Sequence, residues 1–159
     1  MPPAARRPSS RTAQAASHRP GEPWITPEAA ARALEGSFPG NLGLEFLELT
    51  ESGARARLVV ERKHLHPGGF VHGGVWAGFA DTVAAWSTLP NLPEGHDFST
   101  AEMKLNLFGV AREGDELIAE AQPLHVGRRT QVWEVRVSAD GRLAALFVCT
   151  QVLVAREPG

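Results

Sequence analysis

A single cysteine, Cys149, is the whole thiol content of the 159-residue sequence. It excludes an internal disulfide and a cysteine-built metal site, and it suits a reducing compartment. Tyrosine is missing altogether, so the aromatic content rests on four Trp and seven Phe. Basic residues are outnumbered by acidic ones outside the first residues. The formal net charge is -2, yet Met1 to Gly21 holds Arg6, Arg7, Arg11 and Arg19 with no acid, which sets +4 there against -6 in the remainder. A mildly acidic body has no electrostatic footprint for a phosphate backbone, which argues against nucleic acid as a partner. Long apolar runs are lacking too. The one stretch of membrane length, Val71 to Leu89, has Asp81 at its centre, and a charge there argues against a bilayer span. No membrane partner and a cytoplasmic location are expected.

Hydrophobic residues at 43% and charged residues at 21% fit a folded chain of one domain. The division falls near residue 23. Residues 1–23 contain Pro at positions 2, 3, 8, 20 and 23 and no secretory-type apolar run, so they read as a disordered, basic, Pro-rich tail. An organellar leader would need an amphipathic helix, which those prolines would break. Residues 24–159 form the expected domain.

In that body Thr26-Pro27-Glu28 starts a helix that should run through Phe38 and stop at Pro39-Gly40. A strand-like pattern from Leu42 turns at Glu51-Ser52-Gly53 into the alternation of Ala54, Ala56, Leu58 and Val60. A long, nearly all-apolar helix begins near Gly73. Four strands follow: Thr100 to Phe108, Glu116 to Leu124, a segment around Val132 to Val137, and Leu143 to Val154, the last two joined by the Asp140-Gly141 turn signal. Six antiparallel strands and one apolar helix make an α+β fold in which a curved sheet wraps around the helix and buries its whole circumference. No internal repeat is visible.

The chemistry concentrates between His64 and Thr82. Asp81 is the only formal charge between Lys63 and Glu94. A buried carboxylate is costly unless paired, so its retention points to function, with a carboxylate bonded to a neighbouring chain as the plainer alternative. Gly73 and Gly74 occur where the helix starts. Free amides and the helix dipole there could stabilise an oxygen that gains negative charge, although glycines also simply permit a tight entry. Eight residues of helix put ~12 Å between Gly73 and Asp81. Both could serve one carbonyl only if the site is shared between two copies of the chain. His64, His66 and His72 raise a metal site as an alternative to loop-bonding and helix-capping roles. No G-x-S-x-G nucleophile motif, phosphate loop or dinucleotide fingerprint occurs.

The run Gly69-Phe70-Val71-His72-Gly73-Gly74 with Asp81-Thr82, followed by the T-x-E-x-K-x-N strand Thr100 to Asn106, resembles the hotdog-fold acyl-CoA thioesterases of the phenylacetate-degradation type, which are similar to 4-hydroxybenzoyl-CoA thioesterases. The resemblance spans Leu42 to Val154. It implies a hydrolase for a small or aromatic acyl-CoA, with the Gly73 amide polarising the thioester carbonyl. Asp81 of the partner subunit would be nucleophile or general base. Thr100 would help position the attacking water, and His66 would stand where many members have Asn. His72 and Gly74 would be substrate-binding residues, His72 by ordering the loop rather than by transferring a proton. The resemblance also implies a homodimer as the minimal unit, a homotetramer as the assembly, and no metal or redox cofactor, coenzyme A being part of the substrate. Arg128 and Arg129 suit its phosphates, or form a solvated hairpin tip. The other readings are a non-catalytic acyl-CoA-binding or regulatory domain and an acyl thioester hydratase or dehydratase.

Overall fold

The computed structural model describes residues 24–156. The expected disordered tail, 1–23, lies outside the described residues. Two short helices open the body. Helix α1, Pro27–Leu34, is capped by Thr26, whose hydroxyl accepts from the Ala29 amide at 3.3 Å, and it buries Ala30 and Leu34. Gly36 then takes a left-handed φ of 70°, and Ser37 caps a second helix, α2, Phe38–Leu42. The single helix expected through Phe38 is therefore two. Proline lacks only an amide hydrogen that the first helical turn does not use, so Pro39 belongs to the start of α2 and does not stop α1.

Strands β1, Glu45–Thr50, and β2, Gly53–Val59, form the expected hairpin. A loop leads to α3, Gly73–Thr88, the long helix of the fold. Strands β3, His96–Leu107, β4, Glu116–Val126, β5, Thr130–Ala139, and β6, Arg142–Ala155, complete one antiparallel sheet in the order β1-β2-β4-β5-β6-β3. Asp140 and Gly141, with φ of 49° and 73°, supply the two positive φ angles that a tight two-residue hairpin turn needs.

The sheet curves around α3, which packs on β2, β4, β5 and β6. Trp76, Phe79, Ala80, Val83, Ala84 and Trp86 meet Leu58, Leu117, Trp133, Val135 and Phe147 in one core. Trp76, Phe79 and Trp86 are thus core side chains. Hydroxyls buried with them bond back along the helix, Ser87 to the Val83 carbonyl at 2.9 Å and Thr88 to Ala84 at 3.0 Å, so neither hydroxyl is left bare.

The expectation that the sheet buries the whole circumference of α3 fails on one side. Gly74, Ala77, Gly78, Asp81 and Ala85, spaced by three and four residues, stay partly or fully exposed and make a stripe along the helix. Helix α2 crosses this stripe. A side chain at Gly78 would collide with the Phe38 ring, which itself remains 63% exposed. The outer edge of β3 is likewise uncovered, and Ala101 to Lys104 are exposed on both faces. Of its apolar alternation, Ala101, Met103 and Leu107 are exposed and Leu105 packs against the core.

Phe79 lies at the centre of the packing, with 0% exposure. Replacing it with Ala should lower unfolding free energy by about 3–5 kcal/mol, measured by denaturant titration with an unchanged m-value.

Candidate active site

The loop before α3 is held by its histidines. His64 is 1% exposed. Its Nδ1 accepts from the Glu61 amide at 2.9 Å and its Nε2 donates to the Leu42 carbonyl at 2.8 Å, the tautomer that serves both bonds. The His64 carbonyl accepts from the His72 amide, and the His66 amide donates to the Phe70 carbonyl, so residues 64–72 double back as a small hairpin. Both ring nitrogens of His64 are occupied by backbone, which leaves none for the metal alternative.

His66 turns within that hairpin. Its Nδ1 accepts from the Gly68 amide at 2.8 Å, its ring centroid is 5.8 Å from that of Phe70, and the Arg112 guanidinium lies 4.2 Å from the centroid of the Phe70 ring. A neutral ring in this bond carries its proton on Nε2, the one donor an imidazole can offer in place of an Asn amide. His72 caps α3 in the same manner, its Nδ1 accepting from Gly74 N at 2.9 Å. The two glycine amides are therefore not equivalent. The Gly74 amide is committed to His72, whereas the Gly73 amide donates to nothing among the described residues, and open space surrounds the position a Cβ at Gly73 would take. It keeps its hydrogen and the positive end of a 16-residue helix behind it.

Asp81 lies two turns further along the exposed stripe. Its Oδ1 accepts from the Thr100 hydroxyl at 3.0 Å. A bulge after Thr100, where the β3–β6 register shifts, ends the strand's alternation at this residue. Burial pushes the Asp81 carboxyl above its ordinary value, and the Thr100 hydrogen bond pulls partly the other way.

Two residues that the sequence reading passed over stand behind this pair. Thr100 Oγ1 also lies 3.0 Å from the carboxamide of Gln151, which is fully buried and 3.4 Å from Cys149 Sγ. Gln131, equally buried, pairs across β5 and β6 with Gln151, accepts from Trp133 Nε1 at 3.2 Å and donates to the Asn91 carbonyl at 3.0 Å. Burial followed by Asp81's charge pushes the Cys149 thiol up to about 11, so it is protonated and inert near neutrality. The available signal was a glutamine at an inward-facing position of an otherwise apolar strand.

Arg128 and Arg129 are exposed in the β4–β5 turn. The Arg129 carbonyl accepts from Leu153 N, one strand pair beyond the row Gln131, Gln151 and Thr100. They stand at the end of the sheet nearer the C-terminus of α3, away from Gly73 of the same chain. No helix among the described residues is long and apolar enough to cross a membrane.

The chain has relatives among known proteins. The sequence profile of the thioesterase superfamily matches residues 68–145. A protein of Mycobacterium tuberculosis whose name assigns it to the esterases is 36% identical over 105 residues, covering 65% of this chain and 75% of that protein. The chain belongs to the thioesterase superfamily. It is a thioester hydrolase with the hotdog fold. The solved thioesterase of Haemophilus influenzae superposes on this thioesterase with a TM-score of 0.77 at 25% identity, covering 82% of this chain and 92% of that one. The phenylacetic acid degradation protein PaaI of Thermus thermophilus, solved as a variant, gives 0.68 at 29%, covering 72% and 96%.

The raised carboxyl has a signed consequence. Because the folded Asp81 holds its proton more tightly than the unfolded one, the stability it contributes is fully present below the ordinary carboxylate pKa and is lost as pH rises through the folded value. Asp81→Asn should therefore raise the melting temperature at pH 7 over the parent protein, and the difference should close as pH falls to about 4, read by thermal unfolding across pH.

Proposed function

We propose that this thioesterase hydrolyses small or aromatic acyl-CoA thioesters to the free acid and coenzyme A, in a site shared by two subunits. The observation behind this reading is that the unengaged Gly73 amide and the Thr100-bonded Asp81 occupy one helix, eight residues and ~12 Å apart. No single carbonyl can touch both in one chain. A two-fold pairing that lays one stripe against its copy brings each Gly73 to the other subunit's Asp81, and β3, with its uncovered edge and half-exposed Met103 and Leu107, is the element suited to that pairing. The homodimer is then the working unit, and a homotetramer would join two of them.

In the proposed reaction the Gly73 N–H, backed by the helix dipole, donates to the thioester oxygen and stabilises the negative charge it gains. His66 Nε2–H is a second donor suited to substrate or water. Asp81 then acts in one of two ways. As a base it takes a proton from water while the water oxygen bonds to the carbonyl carbon; the tetrahedral adduct collapses, the C–S bond breaks and the coenzyme A thiolate leaves to be protonated. As a nucleophile its oxygen forms an anhydride, expels the thiolate, and water then cleaves the anhydride. Neither route requires a metal or a redox cofactor. Thr100 holds the carboxylate in place throughout, His72 holds the start of α3, and Arg128 and Arg129 offer forked donors for the phosphates of coenzyme A. The relative named for phenylacetic acid degradation makes an arylacetyl-CoA a fitting test substrate.

Thiol release should be followed over aliphatic, benzoyl and arylacetyl thioesters of coenzyme A. Asp81→Ala is expected to lower kcat by about 10²–10⁴-fold. Gly73→Pro removes the amide hydrogen at a helix position that tolerates proline, after a His72 already extended at φ -66° and ψ 141°, and should cost about 10²–10³-fold. Full turnover in either variant would remove that residue from the mechanism, and no release from any thioester would end the reading.

A further inference from the structure

The hydroxyl of Thr100 lies 3.0 Å from Asp81 Oδ1 and 3.0 Å from the Gln151 side-chain oxygen. Both of those atoms are acceptors. A threonine hydroxyl has one proton, so it can donate to only one of them, and the other would face its lone pairs. The two ends of a carboxamide have the same shape, and the surrounding network decides which end is which. With the nitrogen of Gln151 toward Thr100, the competition for the hydroxyl proton ends. Nε2–H donates to Thr100 Oγ1, Thr100 O–H donates to Asp81 Oδ1, and the amide oxygen falls beside Cys149 Sγ, 3.4 Å away, where a thiol proton can reach it. With the oxygen toward Thr100, the amide nitrogen has only sulfur to bond and Asp81 competes for the one hydroxyl proton.

Two further observations fix the choice. Gln151 is 0% exposed, so water cannot satisfy a misdirected end. Its neighbour Gln131 cannot exchange bonds with it, because Trp133 Nε1, a donor only, holds the Gln131 oxygen and the Asn91 carbonyl holds its nitrogen. The thiol that closes the chain stays protonated, its value pushed up to about 11.

We propose that Gln151 is a positioning residue which, from β6, directs the single proton of Thr100 at Asp81 Oδ1 and so reserves Oδ2 for the reaction. The inference rests on Asp81 being the reacting carboxylate. Oδ2 has no donor among the described residues. The groups facing Asp81 here are Thr100 from β3 and Cys149 from β6, and no charged side chain among the described residues bears on its ionisation. A chain of hydrogen bonds all pointing the same way polarises each member, so the Thr100 hydroxyl is a stronger donor with the amide behind it than without.

The test compares pH profiles of kcat/KM for Gln151→Met and Gln151→Glu in the full-length protein, with thermal unfolding to confirm that each folds. The Met variant should lose about tenfold in kcat with KM unchanged, and its acid limb should move to higher pH because Asp81 loses part of the bond that keeps it ionised. If the amide oxygen faced Thr100 instead, the same variant would free the hydroxyl for Asp81 and the acid limb would move to lower pH. That result, or an unmoved limb with full kcat, overturns the proposal.

The Gln151→Glu variant reads the same choice independently and serves if the Met variant does not fold. A protonated carboxyl at position 151 can replace the amide by donating to Thr100, but an ionised one takes the Thr100 proton away, so activity relative to the parent should fall on the alkaline side. An alkaline side identical to the parent means that an acceptor was there all along. In a Thr100→Val background neither change should add to the loss, since Gln151 acts through Thr100; additive losses would mark a merely structural role. If Asp81→Ala retains turnover, the reading of the site fails. If Asp81→Ala is inactive while both Gln151 variants match the parent, only this inference fails.

Discussion

The half-buried carboxylate of Asp81 sets the terms for everything around it, because it is the one charged group on a helix whose other surfaces are taken by the core. Burial raises the free energy of its ionised form, and the fold answers with a single strong donor, Thr100, delivered from a bulged edge strand. Thr100 in turn requires a partner that will not compete for its proton, which places a buried amide in β6 and a neutral thiol behind that. A surface aspartate would need none of this. The polar row through Thr100, Gln151 and Gln131 crosses three strands at a level where an ordinary sheet core would be aliphatic, and its buried groups bond to one another, to the side chains of Trp133 and Cys149, or to backbone.

The length of α3 imposes the second constraint. A straight helix separates its free first amide from Asp81 by ~12 Å, and no loop movement within one chain shortens that. The same feature that makes the helix a good core element, an apolar surface on nearly all sides, leaves a stripe of small residues at Gly74, Ala77, Gly78 and Ala85 where no strand of its own chain packs. Small side chains allow close approach of another helix. The stripe and the bare edge of β3 are two incompletely covered surfaces, and a symmetric pairing that covers both also joins the two halves of the proposed site.

Much of this was legible in the sequence because it rests on local signals. The apolar run with one acid marked α3 and Asp81; Gly73-Gly74 marked its start; Asp140-Gly141 marked a turn whose two positive φ angles only a few residues accept. What escaped depends on tertiary context. Pro39 reads equally as a stop for one helix or the first turn of the next, and Gly36 decides between them only once its left-handed φ is known. Gln131 shares the inward parity of Trp133, Val135 and Val137, and Gln151 that of Phe147, Cys149 and Leu153, so their orientation could be read from the alternation, but the partners that satisfy a buried amide come from elements distant in sequence. The histidines were ambiguous for the same reason: their spacing suited a metal, while the actual bonds of His64 go to the Glu61 amide and Leu42 carbonyl, the latter 22 residues away in sequence.

The central claim, a site divided between two subunits, is tested most directly by mixing two dead variants. Gly73→Pro and Asp81→Ala chains, unfolded together and refolded at equal amounts, should form mixed dimers in which one site holds both substitutions and the other holds neither. Thioester hydrolysis should recover to about a quarter of the parent activity per chain, half the dimers being mixed and half their sites intact. If each site were built within one chain, every site in the mixture would contain one substitution, and activity no higher than that of the two variants alone would contradict the account.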